Sequence, residues 1–250
     1  MNELPFLKKY KEVCPDTVRR IYETELAKGR NPKDAEKQTK TELHRITGAF
    51  LTPAQVRLCE KLLEAGDLTG TLAMHSSTKE RLDGIDTFYQ TLFDGHNVQT
   101  VLDLACGLDP LYLASAGYTV TGMDISGDCV NIMNAWADKM QWKLTALCRD
   151  LLCEDSFPKA DVTLIMKLLP LMEQQKKGSA LEILNKTTSD TVIVTFPTKS
   201  LGGRNVGMEQ HYTDWFEALI SGSYSIIKRQ VISNELCYTI RRCDTDRQPE

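Results

Sequence analysis

One stretch constrains this chain more than any other: Val101–Pro110, VLDLACGLDP. Its apolar start reads as a strand, Gly107 as a tight turn, and Pro110 as a residue that opens the following helix. A second apolar segment, Tyr118–Met123, ends in Asp124. Strand, turn, helix and a strand closed by an acid form the first half of a nucleoside-binding α/β fold. The turn lets backbone N–H groups approach a ligand, and the acid can accept hydrogen bonds from a ribose diol. With one glycine in place of G-x-G-x-x-G, the turn disfavours a pyrophosphate. It suits a nucleoside without phosphate, such as S-adenosyl-L-methionine (SAM).

The rest of the chain fits around that stretch. Residues 1–94 read as helices without a clear strand. Asp16 is placed to cap the first, Asn31-Pro32 and Thr52-Pro53 open the next two, and Gly66 closes the third. Ser77-Thr78-Lys79-Glu80 matches an S-x-x-E capping box ahead of a helix carrying Leu82, Ile85, Tyr89 and Leu92 on one face. From residue 98 strands and helices alternate. Strands are expected at 100–105, 118–123, 143–148, 161–166 and 191–196, with helices near 110–116, 127–140, 171–186 and 208–220. A closing hairpin is expected at 224–231 and 235–242, turning at Ser233-Asn234. Repeated βα units require a parallel sheet with helices on both faces, and ligands sit at the carboxyl ends of its strands. The expected fold is α/β, a Rossmann-like SAM-dependent methyltransferase sheet behind a helical N-terminal extension. The division is placed at 1–95 and 96–250.

Charge is distributed unevenly along the chain. Residues 1–45 hold eleven Lys/Arg against eight Asp/Glu, a balance of +3, and the remainder holds 19 against 26, a balance of −7. A basic face is the electrostatic footprint of RNA binding, although runs of charge are also ordinary solvated surface. No apolar run reaches the roughly 20 residues that span a bilayer, and the N-terminus MNELPFLKKYKEV lacks the apolar core of a signal peptide. A cytoplasmic protein is expected. The eight cysteines form no C-x-x-C pair, so they are expected as reduced thiols, several of them small core residues, with no metal site.

Each strand end offers a candidate. Asp124 is expected at a ribose, and Asp150, with Leu151, at the exocyclic amine of an adenine. Met166 and Lys167 end the fourth strand. The long glycine-rich segment 196–208, FPTKSLGGRNVGM, carries Lys199 and Arg204, two cations suited to phosphates. His75 reads either as a helix-opening residue or as part of a cofactor site. No Ser-His-Asp order and no phosphate-binding G-x-x-x-x-G-K-[ST] loop is present. Methyl transfer tolerates that silence, because a sulfonium methyl is already activated and positioning matters most. A lone-pair nucleophile such as guanine N7 loses no proton and needs no general base.

Several segments together resemble one family: CPDTVRRI at 14–21, LHRITGAFLTP at 43–53, MHSSTKERL at 74–82, VLDLACGLDP at 101–110, LIMKLLPLME at 164–173 and TFPTKSLGGRNVGM at 195–208. They resemble the aminoglycoside-resistance 16S rRNA (guanine-N7)-methyltransferases of the Arm/Rmt type, over nearly the whole chain. The resemblance implies a SAM-binding domain behind helices that dock on the 30S subunit, and methylation of a decoding A-site guanine. It implies cofactor contacts at His75, Ser76, Ser77, Arg81, Ala105, Asp124, Asp150, Leu151, Met166 and Gln175. Lys167, Lys199 and Arg204 match positions suited to the RNA or target base. Asp109 departs from the family's usual asparagine before proline. The implied partners are the 30S subunit and 16S rRNA, with neither DNA nor membrane, and the chain is expected to act as a monomer. The alternative is a SAM-dependent methyltransferase of small molecules.

Overall fold

The computed structural model describes residues 10–198 and 207–243. Helix α1 spans Pro15–Ala27 and starts two residues earlier than the sequence suggested, behind Cys14 rather than Asp16. Proline at the first helical position supplies a preset φ and has no N–H to satisfy, so the boundary falls before Pro15. Asp16 lies in the first turn and pairs with Arg19 at 2.9 Å. Helix α2, Pro32–Ile46, is capped by Asn31, whose side chain accepts from the Asp34 N–H at 3.0 Å. Helix α3, Pro53–Ala65, opens on a reciprocal box between Thr52 and Gln55 and ends at Gly66 in the left-handed region, φ 73°. Replacing Thr52 by alanine removes the cap and should cost about 1 kcal/mol, read as a lower midpoint in a thermal melt.

Two helices expected as continuous are divided. In place of one helix following a Ser77–Glu80 box there are α5 (Ser76–Lys79) and α6 (Ile85–Phe93), preceded by a short helix α4 (Leu68–Leu72) that the sequence reading lacks. His75, not Ser77, occupies the N-cap of α5, and Gly84 precedes α6 at φ 99°. A residue in that conformation cannot continue a right-handed helix. The helix expected over 171–186 splits for the same reason at Gly178, φ 83°, into α9 (Leu169–Gln175) and α10 (Ser179–Lys186). Glu173 satisfies the open end of α10 by accepting from the N–H groups of Gly178 (2.7 Å) and Ala180 (3.1 Å).

The strands fall where alternation placed them: β1 Thr100–Leu104, β2 Thr119–Asp124, β3 Leu144–Cys148, β4 Val162–Met166 and β5 Thr191–Pro197, then the hairpin β6 Tyr224–Ile232 and β7 Glu235–Arg242. Between them lie α7 (Asp109–Ser115), α8 (Gly127–Met140) and α11 (Met208–Ile220). Strand order is β3-β2-β1-β4-β5-β7-β6. The β2/β3, β1/β4 and β4/β5 pairs are parallel, and β7 pairs antiparallel with both β5 and β6. The order reverses between β1 and β4, the switch point at which open α/β sheets bind ligands. Asp161 latches that pair from the other end, accepting from the N–H groups of Gln99 (2.9 Å) and Thr100 (2.8 Å).

The chain forms two compact units, residues 1–82 with 106–155, and residues 83–105 with 156–250. In the first, Val18, Ile21 and Leu43 join α1 to α2 together with Tyr10 and Val13, while Trp136 stacks on Trp142. In the second, Phe196, Phe216 and Tyr238 form an aromatic cluster between β5, α11 and β7. Five of the cysteines, Cys14, Cys59, Cys106, Cys129 and Cys237, are buried as small core residues.

Candidate functional site

In the first unit the site is built around the turn that follows Leu104. Gly107 adopts φ 55°, and its N–H donates to Asp124 Oδ2 at 2.9 Å. The Ser126 N–H donates to Asp124 Oδ1 at 2.8 Å. Asp124, at the end of β2, therefore ties the glycine turn to the start of α8. Each carboxylate oxygen keeps a lone pair beyond its backbone bond. Burial raises the Asp124 carboxyl above the usual carboxylate range, against the lowering effect of those two N–H bonds and of nearby His75.

His75 takes the helix-opening role that its sequence offered. It is the N-cap residue of α5, and its ring lies over Gly107, so that a Cβ added there would fall inside the imidazole. Glycine is thus demanded twice, by the left-handed φ and by the ring. Replacing Gly107 by alanine should lower stability by about 1–2 kcal/mol through backbone strain alone, with a further loss where His75 is displaced. Removing the ring as well, in a Gly107→Ala/His75→Ala pair, should recover that further loss. Chemical unfolding of the two single variants and the double reads the coupling.

Arg81 and Asp109 form a buried ion pair, with 4% and 2% of their surfaces exposed. Arg81 Nη1 also donates to the Ser77 carbonyl at 3.4 Å. This pair joins the segment after α5 to the first residue of α7, directly beyond the glycine turn. Asp150 is 1% exposed. Its Oδ1 accepts from the Leu152 N–H at 2.9 Å, and its Oδ2 accepts from Arg20 Nε at 2.9 Å. Arg20 belongs to α1, and nothing in its neighbourhood in sequence separates it from the surface-facing Arg19. Leu151 is buried. Cys14 and Cys148 share a hydrogen bond that draws the Cys14 thiol down to about 6 and pushes Cys148 up.

In the second unit the carboxyl ends of β1 and β4 carry Ala105 and Lys167, both non-glycine residues with positive φ, 55° and 54°. Such strain persists where the surroundings over-determine it, and it gathers at functional sites. The Lys167 N–H donates to the Thr195 carbonyl at 2.9 Å, and Lys167 Nζ lies 3.5 Å from Glu235 Oε1. Glu235 is buried and accepts from the Thr195 hydroxyl at 2.6 Å. Glu235 carried no signal in the sequence, because the pairing of β7 with β5 brings it there. Met166 is buried, with the Tyr89 hydroxyl 4.0 Å from its sulfur. Gln175 ends α9. Lys199 and Arg204 lie outside the described residues. Among the described residues no group of three or more His, Cys, Asp or Glu could hold a metal ion.

The donor set in the first unit fits a nucleoside with an exocyclic amine. Asp124 can take a diol, Asp150 an amine, and the Gly107 turn contributes backbone rather than bulk. The family profile described as ribosomal RNA methyltransferase (FmrO) matches residues 7–239. A 16S rRNA (guanine(1405)-N(7))-methyltransferase of Serratia marcescens is 40% identical over 236 residues, 94% of each chain. The crystal structure of the 16S rRNA methyltransferase RmtF in complex with S-adenosyl-L-homocysteine is 45% identical, covers 93% of both chains and superposes with a TM-score of 0.83. The 16S rRNA methylase RmtB is 36% identical over 94% of both chains, with a TM-score of 0.85. A parallel sheet with its switch point between β1 and β4, an acid closing β2 on a glycine turn, and a profile match along almost the whole length lead to one assignment: the chain belongs to the ribosomal RNA methyltransferase (FmrO) family.

Proposed function

We propose that this protein methylates N7 of a decoding A-site guanine in 16S rRNA, with the assembled 30S subunit as substrate and SAM as donor, and so confers aminoglycoside resistance. The observation that carries the reading is the Asp124 carboxylate, fixed by Gly107 and Ser126 at the end of β2 with lone pairs to spare. The cofactor residues are His75, Ser76, Ser77, Arg81, Asp124, Asp150 and Leu151 in the first unit, and Ala105, Met166 and Gln175 in the second. SAM supplies an electrophilic methyl when bound. The protein's residues orient the donor and hold the purine in line with it, and N7 has no proton to remove. A base paired in rRNA leaves its stack to reach such a site.

The helices of residues 1–95 act as the docking part, where the Lys and Arg that outnumber the acids by three over residues 1–45 meet phosphates and set register without reading sequence. Residues 96–250 form the catalytic part, and the protein acts as a monomer. Lys167, Lys199 and Arg204 serve the RNA or the target base. No described helix is long and apolar enough to cross a membrane. A methyl on N7 removes an acceptor and leaves a fixed positive charge, which opposes a polycationic drug by contact and by repulsion.

One assay separates this reading from its rivals. Purified protein with labelled SAM should modify 30S subunits and leave 50S unmodified, with free 16S rRNA a poor substrate. Primer extension or mass spectrometry should find the added mass on a guanine of the A-site. Methylation absent from 30S would end the proposal. Arg204→Ala should spare SAM affinity in calorimetry and lower the rate on 30S.

A further inference from the structure

The helical extension does more than precede the catalytic part in sequence. Residues 12–20 run as a strap along the strand ends of β2 and β3. The Gly127 N–H donates to the Glu12 carbonyl at 2.7 Å, and the Cys14 N–H to the Ile125 carbonyl at 2.8 Å. Val13 and Ser126 form an antiparallel bridge. The Cys14 thiol lies 3.8 Å from the Cys148 carbonyl. Gly127 is close enough to the strap that a Cβ there would meet the Glu12 carbonyl oxygen at 3.3 Å. At its far end, Arg20 Nε and Nη2 reach Asp150 Oδ2 at 2.9 and 2.8 Å.

We infer that Arg20 is a positioning residue for adenine recognition, acting through Asp150. The carboxylate's orientation is set from two sides, by the Leu152 N–H on Oδ1 and by the Arg20 guanidinium on Oδ2. A planar guanidinium presenting two N–H groups to one oxygen fixes direction in a way a point charge does not. A carboxylate so held can aim its remaining lone pairs at an N–H₂ donor and leaves an unpaired oxygen facing a base that lacks one. Selectivity for an amine over a carbonyl at that position then depends on a residue of the helical extension. The inference rests on the proposed role of Asp150 toward SAM.

The test compares S-adenosyl-L-homocysteine with S-inosyl-L-homocysteine, which carries a carbonyl in place of the amine. Calorimetry on the full-length protein should show wild type binding the adenosyl compound at least tenfold tighter. In Arg20→Met that ratio should fall to about threefold or less, and Arg20→Lys should lie between. A general loosening of the fold would weaken both ligands together and leave the ratio unchanged. Far-ultraviolet circular dichroism identifies which variants are folded, and Arg20→Lys carries the test if Arg20→Met is not. An unchanged ratio in a folded variant overturns the inference. Failure of wild type to bind either compound, or equal binding of both, would instead refute the reading of Asp150 on which it rests.

Discussion

Asp109→Ala should cost about 3–5 kcal/mol of stability, since it leaves the Arg81 guanidinium buried without its carboxylate. A domain of ordinary stability has only about 5–15 kcal/mol in total, so the variant should lose a large share of that margin and unfold well below the wild-type midpoint. Urea unfolding followed by circular dichroism reads the loss. Asp109→Asn should fall between, because an amide oxygen still accepts from Arg81 while the positive charge goes uncompensated. The more informative variant changes both partners. Arg81→Met/Asp109→Leu replaces a desolvated ion pair by apolar contact and should be more stable than either single change. Its failure to recover would mean that the two residues act on the fold separately.

Asp124→Ala should weaken SAM binding roughly 100-fold, about 2.7 kcal/mol. The loss has two parts. The two ribose hydroxyls lose their acceptor, and the N–H groups of Gly107 and Ser126 lose theirs at the same time, so the turn is no longer held in its binding form. Calorimetry with SAM measures the total. Unchanged affinity would take Asp124 out of the site. The raised carboxyl also sets a pH dependence. Just above the usual carboxylate range the folded chain keeps a proton that the unfolded chain has released. Stability should therefore decline as pH rises through that window. SAM affinity should move the opposite way over the same window, because a diol needs the ionised acid.

The features legible in the sequence are those set by neighbours along the chain. The β1 turn, the acid ending β2, the hairpin and the helix openings at Asn31-Pro32 and Thr52-Pro53 depend on residues within a few positions of one another. The breaks at Gly84 and Gly178 were missed, because apolar spacing continues across both and a glycine within such a pattern is tolerated as often as it interrupts. The site divides in the same way. Asp124 was legible because its offset from Gly107 is fixed by one βαβ unit. Asp109 was visible only as a departure from a family pattern, and its partner was hidden because Arg81 lies 28 residues away. Arg20 reaches Asp150 and Glu235 reaches Thr195 through tertiary pairing, over 130 residues in one case and 40 in the other, and no local pattern marks either.

The strap also bears on how the chain is made. The carboxylate partner of Arg20 is translated 130 residues after it. At the usual pace of synthesis α1 waits on the order of ten seconds or more for β3 and the turn beyond it. The nascent protein therefore carries a finished helical front with no seat for it. Closure between such distant segments is a late event in folding, so a chain truncated before residue 150 should leave its first helices open to protease.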